Sequence, residues 1–248
     1  MRRLQINTIR MKAILGSVLA FILAACGAEA PVEEPAEAVV AGTADSAFEP
    51  GEEAIPVMGE EVRIVAFGDS LFAGYNLPEP DGYPEKLEAA LRARGTNARV
   101  IDAGVSGDTS AAGRDRLDFV LEGQDEKPDL FILELGGNDL LRGLSPEETR
   151  ANFDAMLTTL TEAEIPVLIM GMRSPPNYGP EYTAQFDAIY GDMAEKYGTE
   201  LIAFWLEDIY EQPQLFQNDR IHPTAEGIEA LVMSTIDEVA AALPSDEG

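Results

Sequence analysis

A three-layer α/β domain with a doubly wound parallel sheet of about five strands is what the sequence predicts for residues 62–248. Five short runs are almost continuously apolar and rich in β-branched residues, which marks strands buried on both faces. Segments of helical length, with apolar residues three and four apart, separate them, so strand and helix alternate. Polar, glycine-bearing runs follow several of the strands, where open α/β sheets keep their binding crevice.

The elements follow in order. Val62-Arg63-Ile64-Val65-Ala66-Phe67 reads as the first strand and stops at Gly68. Pro84 to Arg94 has helical spacing, with Leu87 and Leu91 on one face, and Gly95 ends it. Arg99-Val100-Ile101 is the second strand. Thr109 to Leu121 reads as a helix with Leu117, Val120 and Leu121 as its apolar face. Asp129 to Leu135 is the third strand. Pro146 to Glu164 is a long helix, capped by Ser145, with proline and two acids in its first turn. Pro166 to Met170 is the fourth strand, Glu181 to Tyr197 a helix, Glu200 to Phe204 the fifth strand and Pro223 to Leu243 the closing helix.

Two segments precede this domain. In residues 1–25, Arg2, Arg3, Arg10 and Lys12 form a basic start, and Ala13 to Ala25 is apolar or small apart from Ser17. That stretch is shorter than the ~20 residues needed to span a bilayer, and it has the layout of a secretory signal. Met11 is an alternative start. Leu23-Ala24-Ala25-Cys26 resembles the lipobox of bacterial lipoproteins. The resemblance implies cleavage before Cys26, lipidation of Cys26, and an exported protein anchored in the cell envelope and facing the periplasm. An ordinary signal peptide with an incidental cysteine is the alternative. Residues 26–61 are rich in Ala, Glu, Pro and Gly without apolar periodicity, which predicts a flexible acidic tether.

Charge and composition narrow the function. The chain carries 45 acidic and 17 basic residues, a formal charge of −28. Such an excess argues against nucleic-acid binding and against docking on anionic lipid by charge. Cys26 is the single cysteine, so no internal disulfide and no Cys-based zinc site is expected. His222 is the single histidine, so a site built from several imidazoles is excluded. No metal and no cofactor are expected.

His222 lies in Asp219-Arg220-Ile221-His222-Pro223, and Ser70 in Gly68-Asp69-Ser70-Leu71 at the end of the first strand. A serine there, with Asp-x-x-His near the C-terminus, suggests a Ser-His-Asp hydrolase, because a neutral serine hydroxyl needs a base to become nucleophilic. Two plainer readings stand beside it. His222 can be a surface residue, and Asp219 a carboxylate flanking the start of the last helix.

Four motifs in order carry a family resemblance. They are Phe67-Gly68-Asp69-Ser70-Leu71, Val105-Ser106-Gly107-Asp108-Thr109-Ser110, Glu134-Leu135-Gly136-Gly137-Asn138-Asp139 and Asp219 to Pro223. Together they resemble the SGNH (GDSL) hydrolases, in the arylesterase, thioesterase and lysophospholipase branch. The resemblance implies a flavodoxin-like fold, Ser70 as nucleophile, His222 as general base and Asp219 as the carboxylate that orients it. It implies an oxyanion hole made of the Ser70 N–H, the Gly107 N–H and the Asn138 side-chain amide. Gly107 as a simple turn glycine and Asn138 as a turn-stabilising side chain are the alternatives. Asp69 and Asp139 are expected to organise loops through backbone hydrogen bonds. The order Ser, Asp, His differs from those of chymotrypsin and subtilisin, and the G-x-S-x-G elbow is missing.

Leu71, Phe72, Leu140, Leu141 and Leu144 flank the motifs, and Pro175 to Pro180 forms a turn-rich loop able to wall a cleft. These point to an acyl or aryl group, unless the leucines pack inward. The expected substrate is a small-molecule ester, thioester or lysolipid. A carbohydrate O-acetylesterase of the cell envelope and a non-catalytic binding lipoprotein are the competing readings.

Overall fold

The computed structural model describes Val57 and residues 59–244. Residues 1–25, with the expected signal, and Cys26 lie outside the described residues, as does almost all of the tether. Within the described part the elements are β1 (Val62–Gly68), α1 (Tyr83–Ala93), β2 (Ala98–Gly104), α2 (Ser110–Glu122), β3 (Leu130–Glu134), α3 (Gly137–Leu141), α4 (Pro146–Glu162), β4 (Val167–Met170), α5 (Pro180–Tyr197), β5 (Glu200–Ile202), α6 (Glu207–Tyr210) and α7 (Ala225–Ala242).

The strands form one parallel sheet in the order β2-β1-β3-β4-β5. Side chains alternate across it. Ile64, Ala66, Leu130, Ile132, Leu168 and Met170 meet α1 and α7 on one face. Val65, Phe67, Phe131, Leu133 and Ile169 meet α2, α4 and α5 on the other. Burying each such large apolar side chain stabilises the fold by about 1.5–3 kcal/mol. Both faces are covered, which is why the strands read as continuous apolar runs rather than alternating ones.

Register positions the site. Gly68 pairs with Gly104 at the ends of β1 and β2. The loops leaving these strands therefore emerge side by side at the carboxyl edge, next to the end of β3, where Leu133 pairs with Phe67. β1 splits its neighbours, with β2 on one side and β3 on the other, so its carboxyl end is the topological switch point of the sheet.

Several boundaries differ from expectation. β2 runs on to Gly104. β5 stops at Ile202, because Gly171 donates its N–H to Ile202 and accepts that of Trp205, turning the chain off the sheet edge. α7 starts at Ala225 rather than Pro223, where Thr224 Oγ1 accepts the Gly227 N–H at 3.2 Å as its cap. The short helices α3 and α6 carry too little periodicity to be read from sequence.

Candidate active site

Ser70 sits two residues past β1. The peptide between Gly68 and Asp69 is held at both ends. Its carbonyl accepts the Val105 N–H and Arg116 Nη2, each at 3.0 Å, and its N–H donates to Glu134 Oε2 at 3.3 Å. A Cβ at Gly68 would lie 2.8 Å from that carboxyl oxygen and from the Phe72 ring, so only glycine fits. Arg116 also donates from Nε to Asp108 at 2.6 Å, tying the strand end to the Gly107 loop.

Asp69 is buried and accepts the Leu71 N–H at 3.0 Å and Asn138 Nδ2 at 2.9 Å. Burial pushes its carboxyl up to about 6, against the opposing pull of those hydrogen bonds. Asp139 accepts the Ser110 N–H at 2.7 Å and Thr149 Oγ1 at 3.1 Å, which ties α3 to α2 and α4. Both acids are the loop organisers expected of them.

The base arrives from the other end of the chain. His222 Nε2 lies 2.8 Å from Ser70 Oγ, and His222 Nδ1 lies 2.8 Å from Asp219 Oδ2. With the proton on Nδ1, the ring donates to Asp219 and accepts from the serine hydroxyl. Arg220 adopts a left-handed conformation, φ 60°, which folds the chain back on itself. Asp219 Oδ1 then accepts the Ile221 and His222 N–H groups at 2.9 and 3.1 Å. Burial opposes ionisation of Asp219, but the hydrogen bonds from His222 and these two amides outweigh it and hold its pKa below the usual value. Asp219 faces His222 and not the end of α7, which Thr224 caps.

Gln217 went unnoticed in the sequence. Its Nε2 donates to the carbonyls of Tyr75 and Pro223 at 2.8 and 2.9 Å, and its backbone N–H to the His222 carbonyl at 2.7 Å. It staples the Ser70 loop to the His222 loop. One glutamine in an aperiodic loop leaves no signal that would have found it.

Ser70, Gly107, Asn138 and His222 line one cavity of about 760 Å³. Gly107 has φ 91°, a conformation that L side chains rarely adopt. Among the described residues the N–H groups of Ser70 and Gly107 donate to no protein acceptor. Asn138 uses one amide hydrogen on Asp69 and keeps the second free. Three donors at one cavity beside a serine–imidazole pair can receive an oxyanion.

The walls are mainly apolar. Leu71, Leu140, Leu141 and Pro175 contribute as expected, joined by Met172, Phe204, Leu206, Tyr210, Phe216 and Ile221. Phe72 does not take part: it is fully buried, stacked on Tyr83 at 5.1 Å and edge-on to Trp205. Leu144 is also absent from the wall. The inward packing considered for the leucines holds in part, because Leu71 and Leu140 are buried in the core clusters while also lining the cavity.

A model of the GDSL-like lipase/acylhydrolase family matches residues 66–230. The arylesterase of Vibrio mimicus is 37% identical over 164 residues, 66% of this chain and 81% of that protein. Thioesterase 1/protease 1/lysophospholipase L1 of Escherichia coli K12 is 36% identical over 160 residues, 64% of this chain and 74% of that protein. The crystal structure of AlinE4, an SGNH-hydrolase family esterase, is 57% identical with a TM-score of 0.64, covering 76% of this chain and all of that one.

Proposed function

The chain belongs to the GDSL-like lipase/acylhydrolase family and is a carboxylic ester hydrolase, in which we propose that Ser70, His222 and Asp219 carry out acyl transfer. The observation that carries this reading is the unbroken line from Ser70 Oγ through both ring nitrogens of His222 to Asp219, with 2.8 Å at each step. Ser70 Oγ attacks the ester or thioester carbonyl while Nε2 takes its proton. Asp219 keeps the ring in the required tautomer and stabilises the imidazolium that forms. The Ser70 and Gly107 N–H groups and the free hydrogen of Asn138 receive the oxyanion. The imidazolium protonates the leaving alcohol or thiol, and water then releases the acyl group from Ser70 by the same path.

The apolar cavity supports acyl or aryl esters, thioesters and lysolipids as substrates. Its volume exceeds the needs of an acetyl group, which favours this reading over a carbohydrate O-acetylesterase. The sequence Leu23-Ala24-Ala25-Cys26 supports export and lipid anchoring through Cys26, with residues 26–61 as the tether that places the enzyme at the cell envelope.

Ser70→Ala tests the reading. The variant is expected to keep its melting temperature and to lose both ester turnover and covalent labelling by a fluorophosphonate. Turnover at the wild-type level in folded Ser70→Ala refutes it.

A further inference from the structure

Glu134 ends β3 and is completely buried, with 0% exposure, beneath the loop that carries Ser70. Its Oε2 accepts the Asp69 N–H, while among the described residues Oε1 has no hydrogen-bond partner. The indole N–H of Trp205 faces the same carboxyl without reaching hydrogen-bond geometry. Among the described residues Glu134 takes part in no ion pair. A packing role would be filled by leucine or methionine at no desolvation cost, so a carboxyl here needs another reason.

The reason lies in what the carboxyl touches. The Gly68–Asp69 peptide is fixed at its carbonyl by Val105 and Arg116, and at its N–H by Glu134 alone. Asp69 carries two of the oxyanion donors. Its side chain holds the Asn138 amide, and its carbonyl, which accepts the Ala73 N–H at 3.1 Å, lies in the same peptide plane as the Ser70 N–H. A rotation at Asp69 therefore misdirects both donors together.

We infer that Glu134 is a positioning residue for the oxyanion hole, which through the Asp69 N–H aims the Ser70 N–H and the Asn138 amide at one point. Burial, and then the Asp69 carboxylate, drive the Glu134 pKa well up, which favours its neutral form. Asp69, with two hydrogen bonds to its oxygens, carries the charge of the pair. The inference rests on the proposed roles of Ser70 and Asn138.

Three variants on the full chain test it, with kcat, KM, fluorophosphonate labelling rate and melting temperature measured for each. Glu134→Gln presents a neutral oxygen to the Asp69 N–H and is expected to stay within about threefold of wild-type kcat. Glu134→Asp withdraws the acceptor by one methylene, and Glu134→Leu removes it. Both are expected to lose roughly tenfold in kcat and to label more slowly with KM little changed, a fraction of the ~10²–10³ that losing an oxyanion donor costs. Folded Glu134→Asp with wild-type kcat overturns the inference, as does a rise in KM at unchanged kcat. A tenfold loss in Glu134→Gln also overturns it, and decides the matter if the other two fail to fold. Ser70→Ala separates the failures: if it is inactive while Glu134→Asp is normal, the inference falls and the acyl-transfer reading stands.

Discussion

The ring of Tyr75 lies 4.3 Å, centroid to centroid, from the imidazole of His222, tilted by 32°. Tyr75 belongs to the loop of the proposed nucleophile, so that loop packs directly on its base. Gln217 reinforces the contact by donating to the Tyr75 carbonyl. The two halves of the site, more than a hundred residues apart in sequence, are thus held by one stack and one amide. The π-face of Tyr75 would also favour the imidazolium of the proposed acyl transfer.

Gln217→Ala removes the staple and leaves every reacting group in place. We expect kcat to fall about tenfold, since a displacement of ~1 Å in such a site can cost up to ~10². The melting temperature should change little, because Gln217 lies outside the buried core. Steady-state kinetics alongside a melting curve check this, and unaltered kcat removes the positioning role given to Gln217.

Asn138→Ala removes a proposed oxyanion donor, whose bond is expected to strengthen only as the oxyanion forms. The expected loss is ~10²–10³ in kcat with little change in KM. Fluorophosphonate labelling should slow yet persist, because the Ser70–His222 pair is intact. A purely structural Asn138 would instead lower thermal stability and leave turnover per folded molecule near normal.

Stability should depend on pH through the buried pair of acids. Asp69 is raised to about 6, and Glu134 lies well above its ordinary value. Groups raised by folding bind protons more tightly in the native state. Their contribution is full below the unfolded values near ~4 and is lost as pH rises through the folded ones. Glu134→Gln should therefore gain stability relative to wild type on going from pH 5 to pH 8, by up to ~1.4 kcal/mol per pH unit for one proton. Asp219 is lowered and acts in the opposite sense, losing its contribution only on strong acidification. Calorimetry of both proteins at the two pH values measures the difference, and an equal offset at both contradicts a protonated Glu134.

The proposed lipid anchor is tested in a bacterial host given labelled fatty acid. Wild type should incorporate the label and sediment with membranes. Cys26→Ser should do neither, while a chain starting near Val62 stays soluble and active. Unlabelled wild-type protein would leave an ordinary signal peptide.

The residues of the proposed machinery are legible in the sequence because they sit where sequence is least ambiguous. Ser70, Gly107 and Asn138 each lie in a glycine-bearing loop just past the end of a strand, and His222 is the only imidazole in the sequence. The walls were not readable. Phe204, Tyr210, Phe216 and Ile221 fall in an aperiodic stretch between β5 and α7, where the chain is held by turn hydrogen bonds rather than by repeating side-chain contacts. Phe72 was misplaced because alternation cannot be inferred in a loop. Glu134 lies within the third motif, but nothing local says that a charge-bearing residue closing an apolar strand is buried in the core.

The closing helix α7 follows directly on the Asp219–His222 turn, and Thr235 in its middle meets the Tyr83 hydroxyl of α1 at 2.7 Å in the core. A chain interrupted before residue 219 would hold the serine and all three oxyanion donors but no base. With His222 as the proposed base, such a chain is expected to be inactive, whatever sheet it has already formed. In refolding, recovery of activity should follow the arrival of the last helix, lagging behind the signal from the strands. Activity in the proposed scheme thus waits on the segment around His222 folding back onto Ser70.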